Sequence, residues 1–410
     1  LNDIELIERA VSEHLIQAQP LQPFDHTLFT PSSPMQSYHQ GWCPPPVEQV
    51  YDKRFFNPQK PILVAQPDNT TNSPVAGNTE LELSALIRFF RNPAQFFFNR
   101  SLKVDLNLNL QADDNDEPFN LDGLGRYKLQ ASLIDSALSQ ANHDVDIELL
   151  TELKASGSLP MAPFDDILLS QYQRDIAPLI NRVHFLQDEQ PSGSVNIDLT
   201  IKAHLTQPGH ERQANMTSID ENAINLVGRI DDVSPKGMIN YRPGTAHGRD
   251  LIQCYIRHLC LNAQGIMKYS YLLDMGHFHC FAPVNADHAL EKLSQFVQSF
   301  IHGQQHPLCF APRTAWMYAQ TEGTHNEKLF AAQKQWRDEQ THLGEGFEPH
   351  HQRLFTFPDD FSEPTFGALV QTLLQPMVSL YHKGKLSELD DFVSDGAVSL
   401  HATEIAKAMD

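Results

Sequence analysis

The sequence has little positive charge and few cysteines. Lysine and arginine total 30 against 51 aspartate and glutamate residues, which gives a net charge of -21. Proteins that coat DNA regardless of its sequence are usually basic, so this composition disfavours a free-standing protein of that kind. Five cysteines without a CxxC pair are too few for a disulfide framework. We therefore expect reduced thiols and a cytoplasmic location.

Long apolar runs and common catalytic motifs are also missing. No apolar run approaches the ~18 residues that span a bilayer, and the first residues lack the basic and apolar regions of a signal peptide. The sequence contains no GxxxxGKS or GxxxxGKT phosphate loop, no GxSxG nucleophile elbow and no HExxH helix. A membrane partner and P-loop ATP binding are therefore not expected.

The residues that are present predict a sizeable folded core. Hydrophobic residues make up 41% of the 410 residues and charged residues 20%, which is typical of globular proteins. At ~150 residues per domain, this length predicts two or three domains. Because the first residue is Leu1 rather than methionine, we expect the chain to be a piece of a longer protein.

Prolines mark the first expected domain boundary. Residues 1–75 hold 11 of the 27 prolines, so we assign residues 1–78 to the end of a preceding region and an extended connector. A folded domain is predicted for residues 79–384, helical to about residue 190 and mixed α/β after it. Residues 385–410 are predicted to form an acidic tail.

A phenylalanine-rich segment opens the predicted domain. Glu82 lies three residues after Thr79, a capping-box spacing that predicts a helix start at Thr79. Five of the 24 phenylalanines fall within residues 89–98. The arginines that flank or interrupt them are Arg88, Arg91 and Arg100. The pattern is typical of a core helix, kinked at Pro93, whose arginines extend to the surface. An aromatic and basic DNA surface is the alternative.

Apolar and polar residues alternate after residue 190 and predict strands. The clearest alternation runs from Val195 to Leu205. Further strands are predicted at 226–231, 237–242, 267–273 and 277–284, and helices at 250–261 and 285–303. The predicted fold class is mixed α/β: a helical lead-in followed by a mixed sheet flanked by helices.

The most informative segment is residues 226–259, LVGRIDDVSPKGMINYRPGTAHGRDLIQCYIRHL. Its strand, turn, strand and helix pattern resembles the core of the PD-(D/E)xK nucleases related to the RecB nuclease domain. In that family two acids hold Mg²⁺ and a lysine assists the attacking water. Asp231 matches the first acid, but Asn240 and Arg242 replace the second acid and the lysine. The resemblance implies a nuclease-like fold without a catalytic or metal site.

Other segments extend this resemblance along the chain. They are QPLQPFDHTLF (19–29), SYHQGW (37–42), LIRFFRNPAQFFFNRSLKV (86–104), EPFNLDGLGRYKL (117–129), HPLCFAPRTAW (306–316) and LGEGFEPHHQRLF (343–355). In this order they resemble the RecC family, the gamma subunits of exodeoxyribonuclease V. The resemblance implies a non-catalytic scaffold that assembles with RecB and RecD. It also implies contact with double-stranded DNA ends and separated single strands in double-strand-break repair by homologous recombination.

No cofactor or metal is expected. In the related AddB subunits, a cysteine on the helix before the nuclease domain helps to hold an iron–sulfur cluster. This sequence has Asn92 before Pro93 at that place and no terminal cysteine trio. The adjacent residues His350 and His351 are expected at the protein surface.

Three cations near the motif are the candidate DNA contacts. Lys236, Arg242 and Arg249 lie in the turn and the loop that flank the second motif strand. The resemblance implies that DNA passes over this corner of the sheet, where cations would contact phosphates. Because the whole chain carries a net charge of -21, any attraction to DNA must come from such local clusters, and we expect weak binding by the chain alone.

Two other functions stay open from the sequence. One is an active Mg²⁺ nuclease that combines Asp165 or Asp166 with Asp231 and Asp232, since paired carboxylates can hold Mg²⁺. The other is a protein-interaction module that does not contact DNA. Whether Asp231 and the two replaced motif positions come together in the fold separates a degenerate nuclease site from coincidence.

Overall fold

The computed structural model describes residues 79–106, 121–140, 145–157, 159–188, 192–204, 221–337 and 344–396, with residues 25, 28–30 and 35–36. The chain divides into two units, Leu1–Phe55 and Phe56–Asp410. Almost all of the connector predicted for residues 1–78 lies outside the described residues. The elements given below all belong to the second unit.

The first half of the second unit is mainly helical. It begins with β1 (Thr79–Glu82), α1 (Leu83–Arg91) and α2 (Pro93–Phe96), which continues into a π-helical turn at Phe97–Ser101. The helices that follow are α3 (Gly123–Ser139), α4 (Ile147–Ala155) and α5 (Phe164–Gln187). The helical region before residue 190 and the break at Pro93 are therefore confirmed.

Strands and helices alternate in the second half. The strands are β2 (Gly193–His204), β3 (Glu221–Val233), β4 (Gly237–Tyr241), β5 (Tyr269–Leu273), β6 (His277–Phe281) and β7 (Tyr381–Lys385). The helices are α6 (Gly248–Ala263), α7 (Ala286–Gln305), α8 (Pro312–Gln320), α9 (His325–Trp336), α10 (Pro349–Leu354), α11 (Ala368–Leu380) and α12 (Leu389–Asp391). The predicted strands and helices of this region are confirmed, with shifted ends, whereas β7 was not predicted.

The predicted helix start at Thr79 is wrong. Thr79–Glu82 forms β1, which pairs in parallel with β3 from Thr79 opposite Ile224 to Glu82 opposite Val227. The helix begins only at Leu83. Hydrogen bonding to a strand that is distant in the sequence satisfies this backbone, and it overrides the local capping-box spacing.

One seven-stranded mixed sheet organises the second unit. β3 pairs with β2 in antiparallel fashion along most of its length, with β1 in parallel and with β4 in antiparallel fashion. β2 occupies one edge of β3. β1 and β4 therefore both pair with the other edge of β3, at different positions along it. The sheet then continues through parallel β5 and antiparallel β6 and β7. The mixed α/β fold class is confirmed.

Helices cover both faces of the sheet, and each face has its own hydrophobic core. Met238 of β4 is buried in the first core and its neighbour Ile239 in the second, as expected from strand alternation. The first core is completed mainly by α1, α6, α7, α8 and α11, and the second by α3 and α5. Among the described helices, none combines the length and apolar character that crossing a membrane requires.

The boundary between the domain and the acidic tail stays a prediction. β7 ends at Lys385, and the next apolar residues, Leu386 and Leu389, are 5% and 0% exposed. Both belong to the second core. The first residues of the region predicted as a tail therefore contribute to packing.

The phenylalanine-rich segment packs into the first core, as its pattern predicts. Phe89 and Phe90 are 0% exposed. Their rings meet Phe300 and Phe296 of α7 edge to face, with centroid separations of 5.2 and 4.9 Å, a favourable aromatic geometry. A Cβ atom at Gly303 would lie 2.3 Å from the Phe89 ring. Glycine at this position therefore permits the close approach of α7.

We expect Phe90→Ala to lower the free energy of unfolding by about 3–5 kcal/mol, because loss of the buried ring leaves a cavity. Phe330 on α9 is 79% exposed and provides a matched control. Phe330→Ala removes the same atoms and should change the free energy of unfolding by less than about 0.5 kcal/mol. Denaturant unfolding of the wild type and both variants measures these effects. Similar losses in the two variants would contradict the core assignment.

His258 of α6 is a buried histidine next to the sheet. It is 0% exposed, and its Nδ1 lies 2.9 Å from Ser270 Oγ of β5. Burial lowers the pKa of His258 to about 4. The unfolded chain, by contrast, binds a proton at this residue near pH 6.5. Folding therefore excludes a proton that the unfolded chain accepts.

The free energy of unfolding should consequently fall as the pH drops from about 6.5 towards 4, because the unfolded state binds more protons in this window. Below about pH 4 the loss of unfolding free energy that His258 causes reaches its full value of about 3 kcal/mol. His258→Gln should remove this part of the pH dependence. Denaturant midpoints of both proteins near neutral pH and near pH 5 measure it. The same pH dependence in both proteins would show that His258 is not responsible.

Candidate functional site: the β3–β4 hairpin and the loop to α6

The motif residues lie on the hairpin of β3 and β4 and at the loop that follows. Ser234 closes the hairpin turn: its N–H donates to Gly237 O at 2.8 Å, and its Oγ donates to Leu186 O of α5 at 3.0 Å. Gly237 has a φ of 149°, and a Cβ there would lie 2.3 Å from Tyr269 O. Only glycine tolerates both the conformation and the contact with β5.

Asp231 lies on the face of the sheet opposite the first core. Ile230 is buried in the first core, and successive side chains of a strand point to opposite faces. The Asp231 carboxylate pairs with Arg229 Nε at 2.7 Å, and the two side chains are 61% and 64% exposed. The first motif acid is thus paired with a cation of its own strand.

Asp232 has an unusual backbone conformation. Its φ is 59°, a left-handed value that aspartate tolerates better than most residues. Partial burial and the nearby carboxylates of Asp231 and Asp135 raise the pKa of Asp232. Asp135 of α3 also accepts a hydrogen bond from Tyr241 at 3.1 Å. In the described part of the chain, no group of three or more His, Cys, Asp or Glu residues is arranged to hold a metal ion.

Asn240 and Arg242 lie on the face of β4 that packs against α6. Asn240 Oδ1 accepts a hydrogen bond from Arg257 at 3.3 Å, and its Nδ2 donates to Cys254 Sγ at 3.7 Å. Arg242 forms an ion pair with Asp250 in the first turn of α6. The structure therefore brings Asn240 and Arg242 to one face of the sheet, whereas Asp231 lies on the other, so the three motif positions do not converge into one degenerate nuclease site.

The alternative acids Asp165 and Asp166 lie far from the hairpin. They occupy the first turn of α5, whereas the hairpin contacts the end of that helix through Lys236, which donates to Phe185 O at 2.6 Å. At 1.5 Å per residue, about 30 Å of helix separates the two ends. Asp165 and Asp166 therefore do not join the acids of β3.

Two of the three candidate DNA contacts make structural contacts inside the protein. Lys236 Nζ lies 3.1 Å from an Asp188 carboxylate oxygen and 4.1 Å from the centroid of the Phe185 ring. These contacts tie the hairpin turn to the end of α5. Arg242 is neutralised by Asp250 and is 20% exposed. Neither cation is presented freely to a ligand.

Arg249 is the third candidate, and it lies in the first turn of α6. It lines a groove together with Arg91 and Glu348. It has no ion-pair partner among the described residues. For the neighbouring Arg88 and Arg91 the sequence leaves two alternatives open, the surface of a core helix and an aromatic and basic DNA surface, but neither alternative includes Lys103 or Arg249. A usable signal exists, because residues 83–104 contain four lysines and arginines and no acid.

A buried carboxylate anchors the loop between β4 and α6. Asp274 is 2% exposed and accepts hydrogen bonds from the N–H groups of Ala246 at 3.0 Å, Gly276 at 2.8 Å and His277 at 2.7 Å. Burial alone would raise the pKa of Asp274. The three backbone hydrogen bonds, together with the hydrogen bond between Asp274 and His279, outweigh the effect of burial and hold the pKa well below its usual range. A charged aspartate thus fixes the loop before α6.

His350 and His351 are buried, so the prediction that they lie at the surface is wrong. They are 2% and 1% exposed. His351 Nδ1 lies 2.9 Å from Glu345 O, and its ring centroid is 5.5 Å from that of Trp336. The His350 ring centroid lies 5.6 Å from that of Phe98. Packing of α10 between these aromatic rings removes both histidines from water.

The comparisons with known proteins agree on one family. The family model of the RecC C-terminal domain matches residues 78–323. The RecBCD enzyme subunit RecC of Escherichia coli (strain K12) is 26% identical over 314 residues, which cover 76% of this chain and 24% of that protein. The corresponding subunit of Buchnera aphidicola subsp. Schizaphis graminum is 23% identical over 238 residues, covering 58% of this chain and 20% of that protein.

A shorter match, to the RecBCD enzyme subunit RecC of Haemophilus influenzae, is 28% identical over 122 residues and covers 30% of this chain and 10% of that protein. The chain therefore spans only about a quarter of the length of these curated relatives, or less. The family model itself covers more than half of the 410 residues. On that match, the chain belongs to the RecC C-terminal domain family.

Proposed function

We propose that this chain is the C-terminal part of a RecC-type subunit and acts as a non-catalytic scaffold in a RecBCD helicase–nuclease. Its relatives are named as RecBCD enzyme subunits, which supports this function. RecB and RecD are the proposed partners, and DNA duplex ends and separated single strands are the proposed ligands. The proposed process is double-strand-break repair by homologous recombination in the cytoplasm.

The environment of Asn240 carries the non-catalytic part of the proposal. In the nuclease motif this position supplies a carboxylate for Mg²⁺, whereas Asn240 is neutral and accepts a hydrogen bond from Arg257 at 3.3 Å. A neighbouring guanidinium repels a divalent cation. Arg242 is held by Asp250 and, as an arginine, does not release a proton in proteins. The motif positions thus serve packing and ion pairing.

Exposed apolar side chains at the start of α5 support docking of a partner subunit. Met161, Phe164 and Ile167 are 70%, 61% and 60% exposed. Large apolar residues grouped on a surface are typical of protein-interaction sites. We expect RecB or RecD to cover this apolar patch, defined by Met161, Phe164 and Ile167.

We expect the purified chain to show no Mg²⁺-dependent cleavage of linear duplex or single-stranded DNA, because Asn240 supplies no charge at the second acid position. Asn240→Asp should also remain inactive, since the new carboxylate would pair with Arg257. Nuclease assays of the wild type, Asp231→Ala and Asn240→Asp, with Mg²⁺ and with a chelator, measure this. Chelator-sensitive cleavage that Asp231→Ala abolishes would overturn the non-catalytic assignment.

We expect the chain to co-elute with RecB or RecD from the same organism. Combining Phe164→Ser with Ile167→Ser should weaken that association roughly tenfold or more, as at other interface hot spots. Phe330→Ser is the matched control, because Phe330 is exposed on another helix. Wild-type affinity in the double variant would place the interface elsewhere, and no association of the wild type would refute the proposed partners.

A further inference from the structure

A groove runs along the outer side of the phenylalanine-rich segment. The groove comprises two adjoining cavities of about 540 and 480 Å³, and both have Asn92 and Gln95 in their walls. We call it the basic groove. The cations that line it are Arg88, Arg91, Arg100, Lys103 and Arg249. Of these five, only Arg249 is among the candidate DNA contacts named from the sequence.

The basic groove concentrates unneutralised positive charge in an acidic protein. The chain carries a net charge of -21, yet only two carboxylates, Asp105 and Glu348, stand among the lining residues. Glu348 already accepts a hydrogen bond from Asn92 at 2.5 Å. Within the described part of the chain, none of the five cations has an ion-pair partner. The local field therefore attracts anions.

Core packing fixes the direction of these cations. Arg88 and Arg91 lie three residues apart on α1 and share its exposed face, because Phe89 and Phe90 between them are buried. Asn92 then ends α1, and its Oδ1 accepts the N–H of Gln95 at 3.0 Å. The wall of the basic groove thus consists of helices held from behind by the core, which orients its side chains before any ligand arrives.

The chemistry of the lining suits a phosphodiester chain. Guanidinium groups donate paired hydrogen bonds to phosphate oxygens, and the amides of Asn92, Gln95 and Asn99 can donate to phosphate or sugar oxygens. Phe96 is partly exposed in the wall, where a base can stack on its ring. A concave groove accommodates one flexible strand more readily than a stiff duplex.

We propose that the basic groove binds the phosphates of single-stranded DNA. This site rests on the proposed function, which gives the protein separated strands as ligands. In this proposal the α1–α2 segment makes the principal phosphate contacts. Lys236 and Arg242 do not make them, because both are engaged in ion pairs within the fold. Arg249 is the only one of the three earlier candidates that belongs to the basic groove.

The test is a salt titration of fluorescent oligothymidylate binding to the 410-residue chain, followed by anisotropy from low salt upwards. The variant combines Arg91→Gln, Arg100→Gln and Lys103→Gln, whose side chains are exposed and contribute little to the core. At low salt we expect at least about tenfold weaker binding. The slope of log affinity against log salt should become shallower by roughly 2, at about 0.7 for each lost phosphate contact.

The matched control combines Lys128→Gln, Lys334→Gln and Lys383→Gln, which removes the same charge from exposed positions outside the basic groove. It should keep the affinity and salt slope of the wild type. Equal losses in both variants would overturn the proposal, because net charge alone would explain them. Absence of wild-type binding at the lowest salt would also overturn it.

A polyglutamate peptide of equal charge separates DNA from an acidic protein segment as the ligand. We expect it to compete poorly with oligothymidylate, since it offers neither phosphate geometry nor bases. Displacement at equal concentration would overturn the DNA assignment.

Co-elution with RecB and RecD is measured separately. Co-elution of the wild type, together with unaltered DNA binding in the Arg91, Arg100 and Lys103 variant, would refute the basic groove alone, whereas absence of co-elution of the wild type would refute the proposed function.

Discussion

Burial of the phenylalanine-rich segment is the constraint on which the rest of this structure depends. Phe89 and Phe90 meet α7 edge to face, and the missing side chain of Gly303 permits the contact. This packing holds α1 in one rotational orientation. Arg88 and Arg91 must then point to solvent, because they occupy the remaining face of the helix. Core packing and the basic groove therefore arise from one sequence pattern.

Much of the fold could be predicted because apolar periodicity reports burial. The alternation along β2 and the apolar face of α7 depend on local sequence, and both elements form as predicted. Thr79–Glu82 was misassigned because its strand conformation depends on pairing with β3, which no local spacing reveals. His350 and His351 were misplaced for a related reason: the rings and carbonyl that enclose them come from other segments.

The candidate site was predictable in composition and less so in geometry. The sequence alone identifies Asn240 and Arg242 as departures from a nuclease motif, because residue identity is sufficient for that inference. It does not reveal that Asp231 lies on the other face of the sheet, since this depends on which side of β3 meets the first core. The sequence also does not distinguish cations that lack an ion-pair partner from cations that have one. Lys236 and Arg242 acquire their carboxylate partners only when the chain folds.

The division of the sheet into two separate cores has a consequence for how such a family diverges. Met238 and Ile239 are neighbours in the chain, yet they belong to different cores. Substitutions in cores separated by the thickness of a sheet share few contacts, so their effects on stability combine almost independently. One helical layer can then drift in sequence without compensating changes in the other. This freedom is compatible with a match of only 23% identity to a relative from Buchnera aphidicola.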